Sequence, residues 1–437
     1  MKILISIPSP EYYRNYITSP ALSEIIESCY FIVPKKMADK DFGVPKSRVA
    51  VYDYPADKEV LHKHLFHINT GKFESRSTSL KFRFMRLSKR SQVLYRILGL
   101  PVIYELTRFF ILSRADDRRL FSVIKSIQPD VILMPSSGYE GITFEIIKTA
   151  KKQGVPTLML VDNWDNLVSK TIFTYKPDFL SVWGPQAVKD AVEIHGIPKE
   201  RIFPIGTPRF FNYFKNRSEY PSPYPFKYAL FAGNSTGFDE LSALKKLEEY
   251  IEKNNLDLKI VYRPHPMRQK RKCPDNFVES EFKHVVLDLQ AKEYYNREKS
   301  KTPSDLPDLD YYPRALANME FMICPLSTML IECLLFDKPV FVLAYDDGIH
   351  FVNPKNLYKY CRHFEGIEYL RNLEIIHEFE DLTRVFTVDF SKKRMEKEIP
   401  LSYYLSEKTR HYPHHVKLLV EDINAKFKNN LRVGPQE

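Results

Sequence analysis

Charged and hydroxyl side chains follow two strand-like segments in the second half of the chain. Arg263 and His265 come directly after one apolar run, in Tyr-Arg-Pro-His-Pro, and Ser327 and Thr328 come directly after another. Open α/β sheets bind nucleotides at the carboxyl ends of their strands, and a free helix N-terminus favours an anion. Arg263 and His265 could meet a diphosphate or phosphodiester, and Glu332, one helical turn beyond Thr328, could accept both hydroxyls of a ribose. This set predicts a site for a nucleotide-activated donor.

The same residues also have structural interpretations. Pro264 and Pro266 fix φ, so Arg-Pro-His-Pro could be a rigid turn with a hydrogen-bonded His265. Ser327 and Thr328 could form an ordinary helix N-cap. Because these features fall at equivalent points of one predicted domain, we favour the functional interpretation.

A glycine-containing loop follows the first predicted strand of the same domain. It reads Gly-Asn-Ser-Thr-Gly over residues 233–237. Glycine lets a backbone approach a ligand closely, which makes Asn234, Ser235 and Thr236 candidate donor-binding residues. The loop lacks the spacing of a dinucleotide-binding fingerprint and is weak evidence alone.

Carboxylates follow two strand-like segments in the first half of the chain. Glu140 comes after a segment that ends at Met134, and Asp162 and Asp165 follow the next segment. A general base must reach the proton of the attacking hydroxyl, and we take Asp165 or Glu140 as that base. His265 is the candidate for stabilising the leaving phosphate. As structural alternatives, Glu140 could complement a helix dipole, and the two aspartates could tie their loop by Asx-type hydrogen bonds.

Two neighbours of Asp165 are candidate acceptor-binding residues. Trp164 could stack on an acceptor sugar, or it could fill the interface between two domains. Asn166 could donate to and accept from a hydroxylated ligand.

Strand-like and helix-like segments alternate along the chain, which predicts parallel sheets with helices on both faces. The proline-rich segment 216–225 predicts a joint between two domains. We therefore expect an N-terminal Rossmann-like domain at 1–215, a C-terminal donor-binding domain at 226–400, and a helical segment at 401–437 that could pack back on the first domain. Two such sheets indicate the GT-B architecture, an α/β fold with a cleft between its domains. The predicted strands are 2–7, 49–54, 130–134, 156–161, 179–183, 201–205, 228–232, 256–262, 284–288, 320–324 and 339–343.

Composition limits the classes of protein. The chain has 437 residues and a net charge of +10, which fits an anionic partner without identifying one. Its five cysteines form no Cys-x-x-Cys pair, which favours a reducing compartment. Met1 leads straight into a predicted strand, so we expect a cytoplasmic protein without a signal peptide. No Asp-x-Asp stands at a strand end of the first domain, so we expect neither a metal nor another cofactor.

Several blocks carry a resemblance to a known group. The segment 161–170, Val-Asp-Asn-Trp-Asp-Asn-Leu-Val-Ser-Lys, resembles a motif of GT-B-like proteins from surface-polysaccharide gene clusters. Segments 181–184, 193–198 and 206–210 resemble that group too. Segments 326–332, 337–340 and 344–346 are similar to the CDP-glycerol glycerophosphotransferase and capsule-transferase superfamily. The His-Pro and Ser/Thr pair also resembles transferases that use CMP-activated sialic acid or Kdo.

The resemblance covers roughly residues 130–350 and implies a glycosyltransferase. Such an enzyme would move a sugar from a nucleotide-activated donor to a glycan or glycolipid of lipopolysaccharide or capsule. A CDP-glycerol-type glycerophosphotransferase, a nucleotide-sugar 2-epimerase and a non-catalytic glycan-binding protein are the alternatives. One departure puts the base in doubt, because the only Asp-Asp-Gly sequence lies at 346–348, in the predicted C-terminal domain.

A basic segment from Lys72 to Arg96 lies outside the resemblance. Its Lys and Arg residues alternate with apolar ones, including Phe82 and Phe84. This pattern suits an anionic membrane surface, and the protein could be peripheral on the inner face of the cytoplasmic membrane. It also suits a solvated helix with some buried residues. No helix-turn-helix, zinc-finger or RNP pattern favours nucleic acid.

Overall fold

The computed structural model describes residues 1–114, 117–214, 219–235, 238–265, 277–296, 309–392 and 397–432. The chain divides into two compact units. The first unit consists of Met1–Phe211 and Ser402–Glu437, and the second unit consists of Asn212–Leu401.

The first unit contains a seven-stranded, fully parallel sheet with the order β3-β2-β1-β4-β5-β6-β7. The strands are Ile3–Ser6 (β1), Cys29–Val33 (β2), Val49–Val51 (β3), Val131–Ser136 (β4), Thr157–Val161 (β5), Phe179–Val182 (β6) and Ile202–Pro204 (β7). The central strands β1, β2, β4 and β5 are mainly apolar and almost wholly buried, as expected for parallel strands covered on both faces, whereas the edge strand β3 is partly exposed.

Helices cover both faces of this sheet. Their starts follow ordinary capping chemistry: proline occupies the first turn of the first and ninth helices, and the Asp117 carboxylate accepts from the Arg119 and Leu120 amides. The helices are Pro10–Tyr16 (α1), Ala56–Lys72 (α2), Thr78–Met85 (α3), Lys89–Leu98 (α4), Pro101–Arg114 (α5), Arg118–Ile127 (α6), Gly141–Gln153 (α7), Asn166–Ser169 (α8) and Pro185–His195 (α9).

The second unit contains a six-stranded parallel sheet with the order β10-β9-β8-β11-β12-β13. The strands are Tyr228–Ala232 (β8), Lys259–Arg263 (β9), Val285–Leu287 (β10), Met322–Pro325 (β11), Val340–Leu343 (β12) and Leu373–Ile376 (β13). The helices are Glu240–Lys253 (α10), Leu289–Asn296 (α11), Tyr311–Asn318 (α12), Met329–Leu334 (α13) and Pro354–Tyr360 (α14).

The chain then returns to the first unit and ends in helix Tyr412–Arg432 (α15). Tyr412, Val416 and Ile423 of α15 share a core cluster with Ile3 and Ile5 of β1. The first unit therefore has a core built from both ends of the chain.

The α/β prediction with two parallel sheets is confirmed. Strands β2 and β13 were missed, although β2 is an apolar run. The proline-rich segment is also more than a joint. Tyr220 and Tyr224 are buried in the second unit, where their rings pack on Phe336 and Tyr228, and residues 216–218 lie outside the described part.

In each sheet the strand order reverses at one point, between β1 and β4 in the first unit and between β8 and β11 in the second. Ligands of open α/β sheets bind in the crevice outside the strand ends at such a point. Residues that follow these strands are therefore candidates for a binding site. In the described part of the chain, no helix combines the length and the apolar character that a membrane crossing requires.

Candidate functional site

Arg263 and Glu332 belong to one electrostatic cluster in the second unit. Arg263 ends β9, its Nε donates to the Tyr312 hydroxyl at 2.6 Å, and its guanidinium lies 4.6 Å from the centre of that ring. Burial alone would lower the pKa of Arg263, but Tyr312 and the carboxylates of Asp288 and Glu332 outweigh it and raise the pKa. The site thus holds a permanent cation beside a buried carboxylate.

Glu332 lies on α13 and is almost fully buried, with its carboxylate accepting from the Tyr213 hydroxyl. Asp288, which follows β10, is fully buried. It accepts from Tyr311 at 2.5 Å and, through its other oxygen, from the Ala291 amide at 2.9 Å. Asp288 therefore anchors the first turn of α12, the helix that carries Tyr312.

The predicted donor-binding residues His265, Ser327 and Thr328 are all partly exposed. His265 is half-buried, two residues beyond the end of β9, and Pro266 lies outside the described residues. Ser327 and Thr328 are also half-buried; the Ser327 hydroxyl accepts from the Met329 amide at 3.3 Å, and Thr328 is the N-cap of α13 without a side-chain capping bond. Because α13 has only six residues, its dipole is weaker than the sequence suggested.

The loop after β8 has a structural role that the sequence did not reveal. A side chain at Gly233 would place its Cβ 2.6 Å from a carboxylate oxygen of Glu240. That carboxylate accepts from the Asn234 amide at 3.0 Å and from the Tyr262 hydroxyl at 2.5 Å. The glycine therefore accommodates Glu240 rather than leaving space for a ligand. Asn234 and Ser235 are half-buried, and Thr236 lies outside the described residues.

The first unit has a cavity of about 730 Å³ beside the carboxyl ends of β1 to β4. The cavity includes the reversal point between β1 and β4, because Pro8 follows β1 and Glu140 follows β4. The charged side chains that line it are Lys35, Lys36, Asp53, Glu59 and Glu140. The cavity therefore offers cations and carboxylates to a polar ligand.

Glu140 is the carboxylate of this cavity with the densest set of donors. Hydroxyl groups of Tyr12, Ser136 and Ser137 donate to it at 2.5, 2.6 and 2.6 Å. It stands at the N-cap of α7, after a turn in which Gly138 takes a left-handed φ of 74°. Burial, followed by the charge of Glu140, raises the pKa of Tyr12 well above its ordinary value, so Tyr12 is a neutral donor.

Asp162 lies close to this group. Its carboxylate accepts from the Asn15 amide at 3.0 Å, and burial raises its pKa, against opposing contributions from Arg209 and Asn15. A carboxyl with a raised pKa is a better proton acceptor near neutral pH than an exposed one.

Asp165 is occupied within its own loop, as the structural alternative held. Its carboxylate accepts from the Ser169 hydroxyl at 2.7 Å and pairs with the Lys170 ammonium at 3.6 Å. It also accepts from the Asn166 side-chain amide at 3.3 Å. These bonds tie the first turn of α8. Because Glu140 lines the cavity and Asp165 is paired with a cation, the geometry favours Glu140 over Asp165 as a base.

The acceptor roles of Trp164 and Asn166 require correction. Trp164 is 1% exposed and stacks on Trp183, with Tyr404 edge-on to it. Asn166 is 3% exposed, and its side-chain oxygen accepts from the Asn163 amide at 2.8 Å. Neither side chain has a free surface for an acceptor, because both belong to the core of the first unit.

Sequence reasoning missed Tyr312, Tyr12 and most of the cavity lining. Two signals were available: Tyr311 and Tyr312 directly follow an aspartate at a helix start, and α1 begins directly after β1. Among the residues that the structure describes, no group of three or more His, Cys, Asp or Glu is arranged to hold a metal.

Comparison with protein-family models finds no match, and comparison with curated proteins finds none either. Among solved structures, UDP-GlcNAc 2-epimerase from Methanocaldococcus jannaschii is similar with a TM-score of 0.51 and 13% identity, covering 96% of this chain and 100% of that chain. S. aureus MnaA, solved with UDP, is similar with a TM-score of 0.50 and 14% identity, covering 98% of this chain and 97% of that chain. The wall teichoic acid polymerase TagF is more distant, with a TM-score of 0.43 and 13% identity, covering 98% of this chain and 90% of that chain.

These likenesses concern the fold alone, because the identities are low. They define the class: this chain has a GT-B-like fold built from two α/β units with parallel sheets.

Proposed function

We propose that this protein is an enzyme acting on a nucleotide-activated sugar. In its most specific form, the proposal is a metal-independent glycosyltransferase that passes the sugar to a bacterial surface glycan such as lipopolysaccharide or capsule. The cluster of Arg263, Tyr312 and Glu332 carries the proposal. It puts a fixed cation at the end of β9 and a buried carboxylate on the helix after β11, on either side of the strand-order reversal of the second sheet.

On the donor side, the Arg263 guanidinium would pair with the phosphates, and Glu332 would accept hydroxyls of the ribose. His265, Ser327 and Thr328 would add donors to the phosphates, and Asn234 and Ser235 would lie at the edge. As the bond to the sugar breaks, negative charge grows on the phosphate oxygen. Arg263 is already oriented by Tyr312, so it stabilises that charge without reorganisation. The proposal needs no metal because Arg263 supplies the positive charge.

On the acceptor side, the cavity of the first unit would receive a hydroxylated glycan. Glu140 lines this cavity, and it would take the proton of the attacking hydroxyl. The hydroxyls of Tyr12, Ser136 and Ser137 fix its orientation.

A nucleotide-sugar 2-epimerase is the second candidate. It is supported by the likeness in fold to the M. jannaschii enzyme over nearly the whole of both chains. In that reaction a carboxylate such as Glu140 would take the proton from carbon 2 of the sugar ring, a proton would be returned to the opposite face of that carbon, and no acceptor would be needed.

The candidate enzymes differ in whether they need an acceptor and in whether they release a nucleotide. The test is incubation of the purified chain with UDP-, GDP-, CMP- and CDP-activated sugars or glycerol, with and without glycan acceptors. Acceptor-dependent release of nucleotide supports a sugar transferase, and release from CDP-glycerol alone among the donors supports a glycerophosphotransferase. A 2-epimeric sugar nucleotide formed without acceptor supports the epimerase. Failure of every donor to bind in calorimetry would refute the nucleotide-sugar proposal.

The donor cluster is tested by Arg263→Lys, which keeps the charge and loses the planar fork. Donor affinity should fall about tenfold or more, since a bidentate pair with phosphate is lost. Arg384→Lys is the matched control in the same unit, because Arg384 is half-exposed and pairs with Glu374. Equal donor affinity in the two variants would contradict the assignment.

A further inference from the structure

Two helices of the first unit expose large apolar side chains. Helices α4 and α5 pack on α2 and on each other, and Leu100 lies in the turn between them. Large exposed apolar patches on a soluble protein mark sites of interaction with a protein, a membrane or a ligand. We call the following set the apolar ridge, each member being about half exposed or more: Val93, Leu94, Ile97, Leu100, Val102, Leu106, Phe109 and Phe110.

Helix α5 is apolar on two opposite faces. Tyr104 and Ile111, seven residues apart, are buried in a cluster with residues of α2. Val102, Leu106 and Phe109 follow the i, i+4, i+7 spacing of the other face and are 73%, 67% and 74% exposed. Since the inward face already holds the helix on the unit, the outward face is not needed for folding.

Positive charge surrounds the apolar ridge. Residues 89–114, which carry the ridge, contain five Lys and Arg against one Glu. Lys89, Arg90 and Arg96 of α4 are exposed on the same side of that helix as Val93 and Ile97. An apolar strip edged with cations complements an anionic lipid surface.

This surface shares only the residues from Lys89 to Arg96 with the basic segment that the sequence predicted. Phe82 and Phe84 are buried in the core and cannot anchor a membrane. The Arg76 guanidinium donates to the Ile194 carbonyl at 2.9 Å, and the Arg83 guanidinium lies 4.6 Å from the centre of the Tyr139 ring. The apolar contacts available to a membrane therefore lie further along the chain, on α4 and α5.

We propose that the apolar ridge inserts into the interface of a bilayer that contains anionic lipid, with the flanking Lys and Arg side chains at the headgroups. The 14 residues of α5 span roughly 21 Å, less than the roughly 30 Å hydrocarbon core, so the helix lies along the surface. A second copy of the chain is a poorer occupant, because a symmetric contact would bring two basic surfaces together. The inference does not depend on the proposed reaction.

The test is co-sedimentation of the full chain with phosphatidylcholine vesicles, with and without phosphatidylglycerol. The wild type should bind the anionic vesicles and release as salt rises. The double variant Leu106→Gln, Phe109→Gln should bind at least tenfold more weakly, because two inserted side chains are lost. Lys89→Gln with Arg90→Gln should weaken binding about fivefold per charge.

Control variants separate insertion of the apolar ridge from non-specific binding of exposed apolar side chains to vesicles. Ile349→Gln with Leu418→Gln removes the same number of exposed apolar side chains elsewhere and should bind like the wild type. Val102→Gln gives an independent reading on the same face. The proposal is overturned if the wild type ignores anionic vesicles at low salt, or if the Leu106 and Phe109 variant binds normally. It is also overturned if light scattering shows a dimer that this variant dissociates while vesicle binding persists.

Discussion

Glu140 and Asp165 are both carboxylates at helix starts, yet their surroundings differ. Both accept from hydroxyl groups of their own loops, but Glu140 lines a cavity, whereas Asp165 pairs with the Lys170 ammonium. From the sequence, both follow a predicted strand, so both are candidates for the base. The cavity beside Glu140 and the cation beside Asp165 distinguish a candidate base from a loop anchor.

Glu140→Gln and Asp165→Asn test that distinction, since each keeps the shape and removes the basicity. The Glu140 variant should lose turnover by roughly 100-fold or more, as expected for loss of a general base, while donor affinity stays near normal. It should also lose the low-pH limb of the rate profile. Asp165→Asn should instead lower thermal stability with a small effect on rate. If the outcomes are reversed, Asp165 is the base, and if both keep turnover, Asp162 becomes the candidate.

His195 is a buried neutral imidazole at the end of α9. One ring nitrogen lies 2.7 Å from the Leu167 carbonyl, and the other accepts from the Phe173 amide at 3.4 Å. Burial lowers its pKa to about 4, and burial lowers the pKa of His62 to about 4 as well. In the unfolded chain these groups take up a proton near pH 6.5.

Between about pH 6.5 and 4 the unfolded state thus binds more protons, so acid lowers the free energy of unfolding. We expect a loss of about 1 kcal/mol per histidine between about pH 6.5 and 5.5. Urea unfolding followed by tryptophan fluorescence measures it, since both tryptophans lie in the first unit. His195→Gln cannot titrate and should show a shallower pH dependence. An unchanged slope in that variant would show that His195 is protonated in the folded state.

Element packing depends on close backbone approach between β6 and the C-terminal segment. A Cβ at Gly184, just after β6, would lie 2.6 Å from the Tyr404 carbonyl carbon and oxygen. The Ser406 amide donates to the Trp183 carbonyl at 2.8 Å, so the C-terminal segment is held against the end of β6.

Gly184→Ala should therefore destabilise the first unit by about 2 kcal/mol and loosen residues 402–411. Gly154→Ala is the matched control: Gly154 has a φ of 65° but no heavy atom within 4 Å of an added Cβ. It should cost about 1 kcal/mol of backbone strain without loosening the segment. Limited proteolysis measures the difference. Equal protection of residues 402–411 in both variants would contradict the contact.

The first unit as a whole is closed by the C-terminal end of the chain. Val416, Val420 and Ile423 of α15 are fully buried in the cluster that contains β1. Ordering such distant segments costs entropy, which the burial of this apolar face offsets. The C-terminal helix should therefore be part of the cooperative unit.

Ile423→Ala should lower the free energy of unfolding of the first unit by about 2 to 5 kcal/mol, the range for a buried cavity. Leu418 lies on the same helix and is 47% exposed, so Leu418→Ala should lower the free energy of unfolding by less than about 0.5 kcal/mol. Urea unfolding by tryptophan fluorescence compares them. Similar values for the two variants would mean that α15 does not contribute to the core.

Local patterns determined much of this protein. Apolar runs predict most strands because a parallel strand is buried on both faces, and the residues that follow those runs include Arg263 and Glu332, which the fold brings into one cluster. Position at a strand end follows from sequence alone, since the carboxyl ends of parallel strands meet at one edge.

Tertiary structure decided what those residues contact. Trp164 is part of the core because Trp183 and Tyr404, far away in sequence, cover it, and Gly233 accommodates Glu240. The second apolar face of α5 is exposed because α2 covers only the first. Burial and exposure depend on which distant segments meet, and residue types along the chain do not specify that.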